Sequence, residues 1–253
     1  MIRFCSAVLV ASFLLVSCGD DEGFTRSPIP SGQLTVINAI PDSPALNVVT
    51  NNIPGGSIGF GQATPVTNVL PQIPLDFVVS FLGTNTNQNL NQTIVSEAIT
   101  LEIDFTHTIL LTGSFDAPVV NTIIDPPFQF ATDTTDTRIR FINATSNVAS
   151  ATANLTNPNG NSQTIAFTNG QPTAFTNTTA GPDVQLEITD SSTNAVLWRS
   201  GDFILSAAGN RTFVLIDYFG PGPETVRLVS INDPSGTTLF REEQLNAGLR
   251  FAN

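Results

Sequence analysis

One short apolar stretch recurs at two distant places in the chain, and this repetition limits the folds that are available. Residues 34–44 read Leu-Thr-Val-Ile-Asn-Ala-Ile-Pro-Asp-Ser-Pro, and residues 139–145 read Ile-Arg-Phe-Ile-Asn-Ala-Thr. Each stretch is typical of an apolar strand that closes at Asn-Ala and enters a polar turn. Asn38 and Asn143 are 105 residues apart (143 − 38). The chain is therefore predicted to hold two copies of one unit, each opened by this strand.

Further similarities support the duplication. Residues 108–111 (Thr-Ile-Leu-Leu) align without a gap with residues 212–215 (Thr-Phe-Val-Leu), at an offset of 104 (212 − 108). Residues 96–101 and 200–205 share the same offset (200 − 96). A spacing this constant at several landmarks is the pattern of an internal repeat.

Composition and periodicity indicate an all-β fold. The chain has 253 residues with 12% charged residues, and Thr, Asn and Ser take the place of the missing charge. Short strand-like runs alternate with Gly- and Pro-containing turns, and no long stretch has a helical period. We therefore predict two tandem immunoglobulin-like or transthyretin-like β-sandwich domains, at 33–125 and 138–253, joined by a linker at 126–137.

Within this scheme, four local predictions are specific enough to test. Residues 51–56 and 84–91, both polar, are predicted to be loops. Residues 157–160 (Asn-Pro-Asn-Gly) predict a hairpin with a type I′ turn. Residues 249–253 repeat the opening strand, and we expect them to add a strand to the second domain rather than to begin a third copy.

The charge of the chain excludes one class of partner. All nine basic residues are arginine, and 21 acidic residues bring the net charge to −12. Binding to a phosphate backbone or to anionic lipid headgroups needs a basic face. We therefore expect no nucleic-acid partner.

The N-terminus has the features of an export signal. Residues 7–16 form an apolar run that is too short to span a bilayer. Residues 15–19 (Leu-Val-Ser-Cys-Gly) resemble the lipobox of bacterial lipoproteins. The resemblance implies a signal peptide at 1–17, removal before Cys18, and acylation of Cys18 by two or three chains, which would anchor the protein stably in a membrane. The alternative is an ordinary cleaved signal in which Cys18 has no role.

A lipidated tether is expected at 18–32, because this segment is polar and contains Gly and Pro without periodicity. Asp20, Asp21 and Glu22 resemble a signal that sends some Bacteroidetes lipoproteins to the cell surface, although acidic residues also solvate a tether. Gly19 stands where the common inner-membrane retention signal has Asp. We expect a cell-envelope protein, at the outer membrane in preference to the inner one, with display at the cell surface left open.

A family resemblance rests on two motifs of the first copy. Residues 36–44 (Val-Ile-Asn-Ala-Ile-Pro-Asp-Ser-Pro), followed by 59–62 (Gly-Phe-Gly-Gln), resemble the bacterial domain-of-unknown-function family 4397. In the second copy, 145–148 replaces the Pro-Asp-x-Pro turn, and 167–169 (Phe-Thr-Asn) is taken to replace Phe-Gly-Gln. The resemblance implies a β-sandwich, often in tandem behind a lipobox, and implies no known activity.

A hydrolase site was considered and set aside. Residues 55–59 (Gly-Gly-Ser-Ile-Gly) spell a nucleophile-elbow pattern, but such an elbow lies between a strand and a helix. Here Pro65 follows too soon for a helix to form. The single histidine, His107, aligns with Arg211 in the second copy, and a position that accepts arginine is expected to be an exposed turn residue and not a catalytic base. The protein is predicted not to be an enzyme, and a Ser57–His107 hydrolase is kept as an alternative.

No metal site or cofactor is predicted. One histidine, together with no cysteine left after processing, is too few for the usual zinc sites. Calcium at loop aspartates stays open, although turn capping is favoured. The aspartates concerned are Asp42, Asp116, Asp133 and Asp136.

Trp198 and Tyr218, the one Trp and one Tyr of the chain, are the candidate ligand-binding residues. Exposed rings of these types form platforms for sugars, although Trp198 in an apolar segment favours the core. We expect a lipid-anchored surface module that binds or adheres to an unknown protein or glycan. The alternative is a purely structural component of envelope assembly.

Overall fold

The structure is a computed structural model, and it describes residues 30–41, 43–85, 88–131, 134–157, 159–219, 225–232 and 236–240. For 84, 85, 88–90, 232 and 236–240 the backbone alone is described. The predicted lipobox with Cys18, most of the tether, Asp42, Asp133 and the segment 249–253 lie outside these residues. Ser31–Asn253 forms one compact unit.

Every regular element of the described residues is a β-strand. The first half contains β1 Gly32–Asn38, β2 Leu46–Thr50, β3 Ile53–Ile58, β4 Thr67–Val69, β5 Leu75–Asn85, β6 Gln88–Ile99, β7 Thr106–Ser114 and β8 Ala117–Asp125. The second half contains β9 Asp136–Asn143, β10 Ser150–Thr156, β11 Ser162–Thr168, β12 Thr176–Thr179, β13 Gly181–Asp190, β14 Val196–Arg199, β15 Phe203–Leu205, β16 Asn210–Asp217, β17 Val226–Asn232 and β18 Gly236–Phe240. The prediction of an all-β fold is confirmed.

Each half of the chain builds two sheets. The first half forms sheets with strand orders β4-β1-β7-β8 and β3-β2-β5-β6. The second half forms β12-β9-β16-β17-β18 and β11-β10-β13-β14, with β15 also pairing with β13. An apolar core lies between the two sheets of each half, which makes each half a β-sandwich.

The two sandwiches share one topology, strand for strand. In both, the opening strand pairs in parallel with a late strand: β1 with β7, and β9 with β16. The registers also correspond, because Leu34 pairs with His107 while Ile139 pairs with Arg211. His107 and Arg211 are therefore equivalent, as their sequence alignment indicated. β18 has no counterpart among the described strands of the first half.

A third apolar layer lies between the sandwiches. It includes Ile37 and Leu110 of the first sandwich together with Ile142 and Val214 of the second, each with at most 1% of its surface exposed. These strands are buried on both faces, which explains why their sequences are continuous apolar runs and not alternating ones. The residues that meet occupy equivalent positions of the two sandwiches, since Ile37 corresponds to Ile142 and Leu110 to Val214.

The two polar segments predicted as loops are mostly strand, so those predictions were wrong. Residues 84, 85 and 88–91 continue the long β5–β6 hairpin, whose pairing extends to Asn85 and Gln88. Residues 53–56 belong to β3, after a tight turn at Asn51 and Asn52 with φ values of 48° and 64°. Asn tolerates this left-handed region. Pro54 is accommodated because β3 is an edge strand.

The hairpin predicted at 157–160 is present, but its turn is not type I′. The Gly160 amide donates to the Asn157 carbonyl at 2.8 Å, and β10 pairs with β11 on either side. A type I′ turn needs positive φ at both central residues. Among the described residues of this turn, Gly160, with φ 75°, has positive φ. A proline in the turn opposes type I′, since its ring holds φ negative.

The structure also corrects the alignment of the Phe-Gly-Gln motif. Ile58 pairs with Leu46, while Phe167 pairs with Ala151, the counterpart of Leu46, so Phe167 corresponds to Ile58. The turns 59–62 and 168–171 then coincide. The second copy therefore retains Gly-Gln, at Gly170 and Gln171, and the replacement inferred from sequence was misplaced by two residues (60 − 58).

Candidate binding cleft between the sandwiches

The asparagines that close the opening strands have a structural role. Asn38 and Asn143 are both fully buried. The Oδ1 atom of Asn38 accepts a hydrogen bond from the Ile40 amide at 3.1 Å, and that of Asn143 accepts one from the Thr145 amide at 3.0 Å. The Nδ2 of Asn38 donates to Ser43 Oγ at 2.8 Å, and that of Asn143 donates to a main-chain carbonyl at 2.6 Å. Each side chain thus holds the turn that follows its strand.

The two ligand-binding candidates occupy different environments. Trp198 has 1% of its surface exposed and belongs to the core of the second sandwich, so its ring presents no surface to a ligand. Tyr218 is half-buried just after β16, and the Arg227 guanidinium carbon lies 3.5 Å from the centroid of its ring. The structure does not place the two rings on one exposed platform.

Ser57 and His107 lie in different sheets of the first sandwich. Ser57 is exposed on the edge strand β3. His107 lies within β7 with 1% of its surface exposed, so the expectation of an exposed turn residue was wrong. The Nε2 of His107 accepts a hydrogen bond from the Glu102 amide at 3.2 Å, and its Nδ1 has no hydrogen-bond partner. The structure does not bring the serine hydroxyl and the imidazole together.

The described part of the chain contains neither a metal-binding cluster nor a membrane-spanning helix. No group of three or more His, Cys, Asp or Glu side chains could hold a metal ion there. In the same residues, no helix is long and apolar enough to cross a membrane.

A cleft of about 520 Å³ lies beside the apolar layer between the sandwiches. Its walls are the polar ends of four strands, two from each sandwich, and part of its rim is the connection that leaves β8. The wall residues include Gln33, Thr35, Thr106 and Thr108 of the first sandwich, Arg138, Arg140, Asn210 and Thr212 of the second, and 126–130 of the connection. Clefts of this size between domains are common small-molecule sites.

Arg140 is neutralised inside this region. Its Nη1 lies 2.6 Å from Oδ1 of Asp125, and its Nε donates to Thr212 Oγ1 at 2.9 Å. Its side chain is 5% exposed. Arg140 is therefore held by a charge partner and a hydroxyl, and it acts as a fixed part of the wall.

Arg138 is held in a different way. Its guanidinium carbon lies 3.7 Å from the ring centroid of Phe128 and 4.5 Å from that of Phe175. Among the described residues, no carboxylate lies within 4.0 Å of its guanidinium nitrogens. Burial lowers the pKa of Arg138, while Asp125 raises that pKa and Arg140 lowers it. The cleft therefore presents a partly desolvated cation stacked on aromatic rings.

Asn210 lies directly beside Arg138 in the parallel β9–β16 register. Its Oδ1 is buried and accepts no hydrogen bond from any described residue. A buried unpaired amide oxygen is costly, so it marks a place where a donor from outside the protein would be favoured. Arg138 and Asn210 together offer a charged donor and a neutral acceptor on one wall.

The polar wall differs between the two copies. In the parallel registers, Arg138 occupies the position of Gln33, and Arg140 that of Thr35. The second sandwich alone therefore supplies arginines at these positions. Sequence reasoning did not single them out. The sequence feature that could have identified them is an Arg-x-Arg pair within an apolar strand, in a chain with few cations, at positions where the first copy has uncharged residues.

Comparison with known families gives one match. Residues 32–152 match the model of a domain of unknown function, DUF4397. The match spans β1–β8, continues through β9 and ends in the first residues of β10. It supports the domain family inferred from the motifs of the first copy, and it covers one copy. No curated protein matches the chain.

Proposed function

We propose that this chain is a lipid-anchored binding module of the cell envelope and not an enzyme, and that its ligand site is the cleft between the sandwiches. The observation that carries the proposal is Arg138, a stacked guanidinium with no carboxylate within ion-pair distance among the described residues. In a chain of net charge −12, a retained cation of this kind favours a ligand that supplies the missing charge.

The origin of the cleft walls also supports binding. The walls come from strands of both sandwiches and from the connection between them, so the site needs the paired arrangement. The apolar layer beside it holds the walls in place, and preorganised walls reduce the entropy that a ligand loses on binding.

Two tryptophan substitutions test the location of the site. Gly209 lines the cleft, and a Cβ there would have no neighbour closer than 4.0 Å, so Gly209→Trp would fill the cleft without a backbone clash. Gly201→Trp is the matched control, because a Cβ there has no atom within 4 Å and Gly201 is outside the cleft.

Thermal unfolding of these variants would be measured against a panel of saccharides, peptides and small carboxylates. We expect at least one compound to raise the melting temperature of the wild type and of Gly201→Trp, and not that of Gly209→Trp. A panel without any stabilising compound would contradict the binding module and favour a structural role in the envelope.

The anchor needs a separate test. Cells expressing the chain with its own signal would be labelled with palmitate and treated intact with protease. We expect labelling of the wild type, loss of labelling in Cys18→Ala, and cleavage on intact cells. Absence of label from the wild type would contradict the lipid anchor, and full protection from protease would contradict display at the surface.

A further inference from the structure

We propose that the cleft binds the carboxylate of an acidic sugar, a uronic acid or an oligosaccharide that contains one, with Arg138 as the carboxylate-binding residue. This inference rests on the proposed function and specifies its ligand class.

The charge of the site suits a monoanion. Asp125 neutralises Arg140, and Asp104, the other aspartate that lines the cleft, is exposed and makes no ion pair with Arg138. Arg138 therefore keeps one positive charge without a described carboxylate at ion-pair distance. A carboxylate would balance that charge with one unit, whereas a phosphate dianion would leave an excess negative charge in a chain that is already acidic. The cluster therefore favours a carboxylate.

The geometry leaves the edge of the guanidinium available. The Arg138 guanidinium carbon lies 3.7 Å from the centroid of the Phe128 ring and 4.5 Å from that of Phe175, a ring that also lies 4.4 Å from the guanidinium carbon of Arg140. A guanidinium stacked in this way presents its N–H groups in its own plane, where a planar carboxylate accepts two parallel hydrogen bonds. The stacking also fixes the direction of that edge before a ligand arrives.

The remaining polar groups suit hydroxyls. Asn210 Oδ1 is a buried acceptor without a donor, and a sugar hydroxyl supplies one. Gln33 uses its Oε1 to accept from Thr106 Oγ1 at 3.0 Å, and its amide nitrogen donates to no side chain among the described residues. Hydroxyls donate and accept, so one ring could satisfy both amides, while Phe130 adds an apolar surface to the rim.

A competing explanation is that Arg138 fastens the connection by stacking on Phe128. Two substitutions separate the explanations. Arg138→Gln introduces the residue of the equivalent position in the first sandwich, Gln33. Asn210→Asp places a carboxylate beside Arg138 with almost no change of shape, so it neutralises the guanidinium and leaves the stacking intact.

The experiment is calorimetric titration of the full chain, purified in mild detergent, with D-glucuronate. D-Glucose lacks the carboxylate, and acetate lacks the hydroxyls. We expect glucuronate to bind at least about 10-fold more tightly than either, because glucose cannot form the charged hydrogen bonds to Arg138 and acetate cannot donate a hydroxyl to Asn210.

The variants give the decisive comparison. We expect Arg138→Gln and Asn210→Asp to weaken glucuronate binding about 10-fold or more, with the melting temperature of Asn210→Asp unchanged or raised. Arg199→Gln removes an exposed arginine of β14, in the sheet β11-β10-β13-β14. This variant should bind glucuronate as tightly as the wild type does.

If acetate and glucuronate bind with equal affinity, the sugar part of the proposal is wrong. If Asn210→Asp binds glucuronate as tightly as the wild type does, Arg138 is not the carboxylate-binding residue. If glucuronate fails to bind at millimolar concentration while another compound of the panel stabilises the wild type and not Gly209→Trp, the acidic-sugar class is wrong and the binding module stands. If both experiments are negative, both proposals fail.

Discussion

Arg140 on β9 and Asp125 at the end of β8 form an ion pair that connects the two sandwiches, with 2.6 Å between Nη1 and Oδ1. Asp125 is the last strand residue of the first sandwich, and its side chain is 20% exposed. The pair therefore lies where the chain leaves one sandwich for the other, and it forms part of the candidate cleft.

Loss of this pair should destabilise the protein more than loss of a surface pair. In a double-mutant cycle, Arg140→Ala and Asp125→Ala should couple by about 1–3 kcal/mol, because either single change leaves a charge partly buried without its partner. The cycle would be measured by urea unfolding. The matched control is Arg199–Glu187, whose side chains are 46% and 31% exposed.

The control pair should couple by less than about 1 kcal/mol and should weaken further in salt. Equal coupling in the two cycles would contradict the structural importance of the Arg140–Asp125 pair.

Removing either strand-closing asparagine should be costly. Asn38→Ala and Asn143→Ala each leave buried main-chain groups without their partners, and we expect each to lower the free energy of unfolding by about 2–4 kcal/mol. Asn68→Ala, on the exposed face of β4, should change it by less than about 0.5 kcal/mol. Denaturant unfolding would measure the free energy of unfolding of the three variants. A similar loss in all three would show that the buried side-chain amides contribute little to stability.

Alanine at Gly61 should be worse than alanine at Gly170, although the two glycines share a φ of 72°. Both substitutions carry the left-handed penalty, about 1–2 kcal/mol. At Gly61 the new Cβ would also lie 3.2 Å from Ile216 Cδ1 of the other sandwich, whereas Gly170 has no atom within 4 Å. Denaturant unfolding should therefore give Gly61→Ala an additional loss of about 1 kcal/mol.

Ile216→Val provides the check on that explanation, because it removes the Cδ1 atom. In its background, the difference between the two alanine variants should shrink. A difference that persists unchanged would mean that the tight contact between the sandwiches is not its cause.

The turn after β13 should give a pH-dependent contribution to stability. The pKa of Asp190 is lowered from 3.8 by hydrogen bonds from the Ser192 hydroxyl, the Ser192 amide and the Thr193 amide. A carboxylate with a lowered folded-state pKa stabilises the fold above its unfolded pKa, and this contribution is lost as the pH falls through the folded value.

Asp190→Ala should therefore melt at a lower temperature than the wild type near pH 7, and the difference should diminish below the ordinary value of 3.8. Melting curves between neutral and strongly acidic pH measure this. A difference that is constant over the whole range would indicate that the turn does not depend on the charge of Asp190.

The sequence predicted where strands occur more reliably than how far each strand extends. Residues 75–82 are rich in Phe, Val and Leu, a composition typical of a strand, and they lie in β5. The Asn-, Thr- and Gln-rich residues 84–91 were predicted to be a loop because of their composition. In the structure, β5 and β6 continue to pair through Asn85 and Gln88. Pairing along an existing hairpin adds main-chain hydrogen bonds for each residue, and this outweighs a modest unfavourable propensity.

The cleft could not be predicted because its parts are distant in the chain. Phe128, Arg138 and Phe175 belong to the connection, to β9 and to the segment before β12, and they meet only after the second sandwich has folded. Gln33 and Thr108 reach the same cleft only when the first sandwich packs against the second. No pattern of neighbouring residues in the sequence indicates that these side chains come into contact.

The sequence by itself determined the duplication, the all-β class and the two asparagines that close the opening strands, because these depend on spacing, periodicity and local hydrogen bonds. Tertiary structure alone decided that the sandwiches pack through equivalent faces, that Arg140 is neutralised and that Arg138 is left stacked between rings. The physical reason is that burial and charge pairing depend on which surfaces meet, and a periodic sequence shows that a face is apolar without showing what covers it.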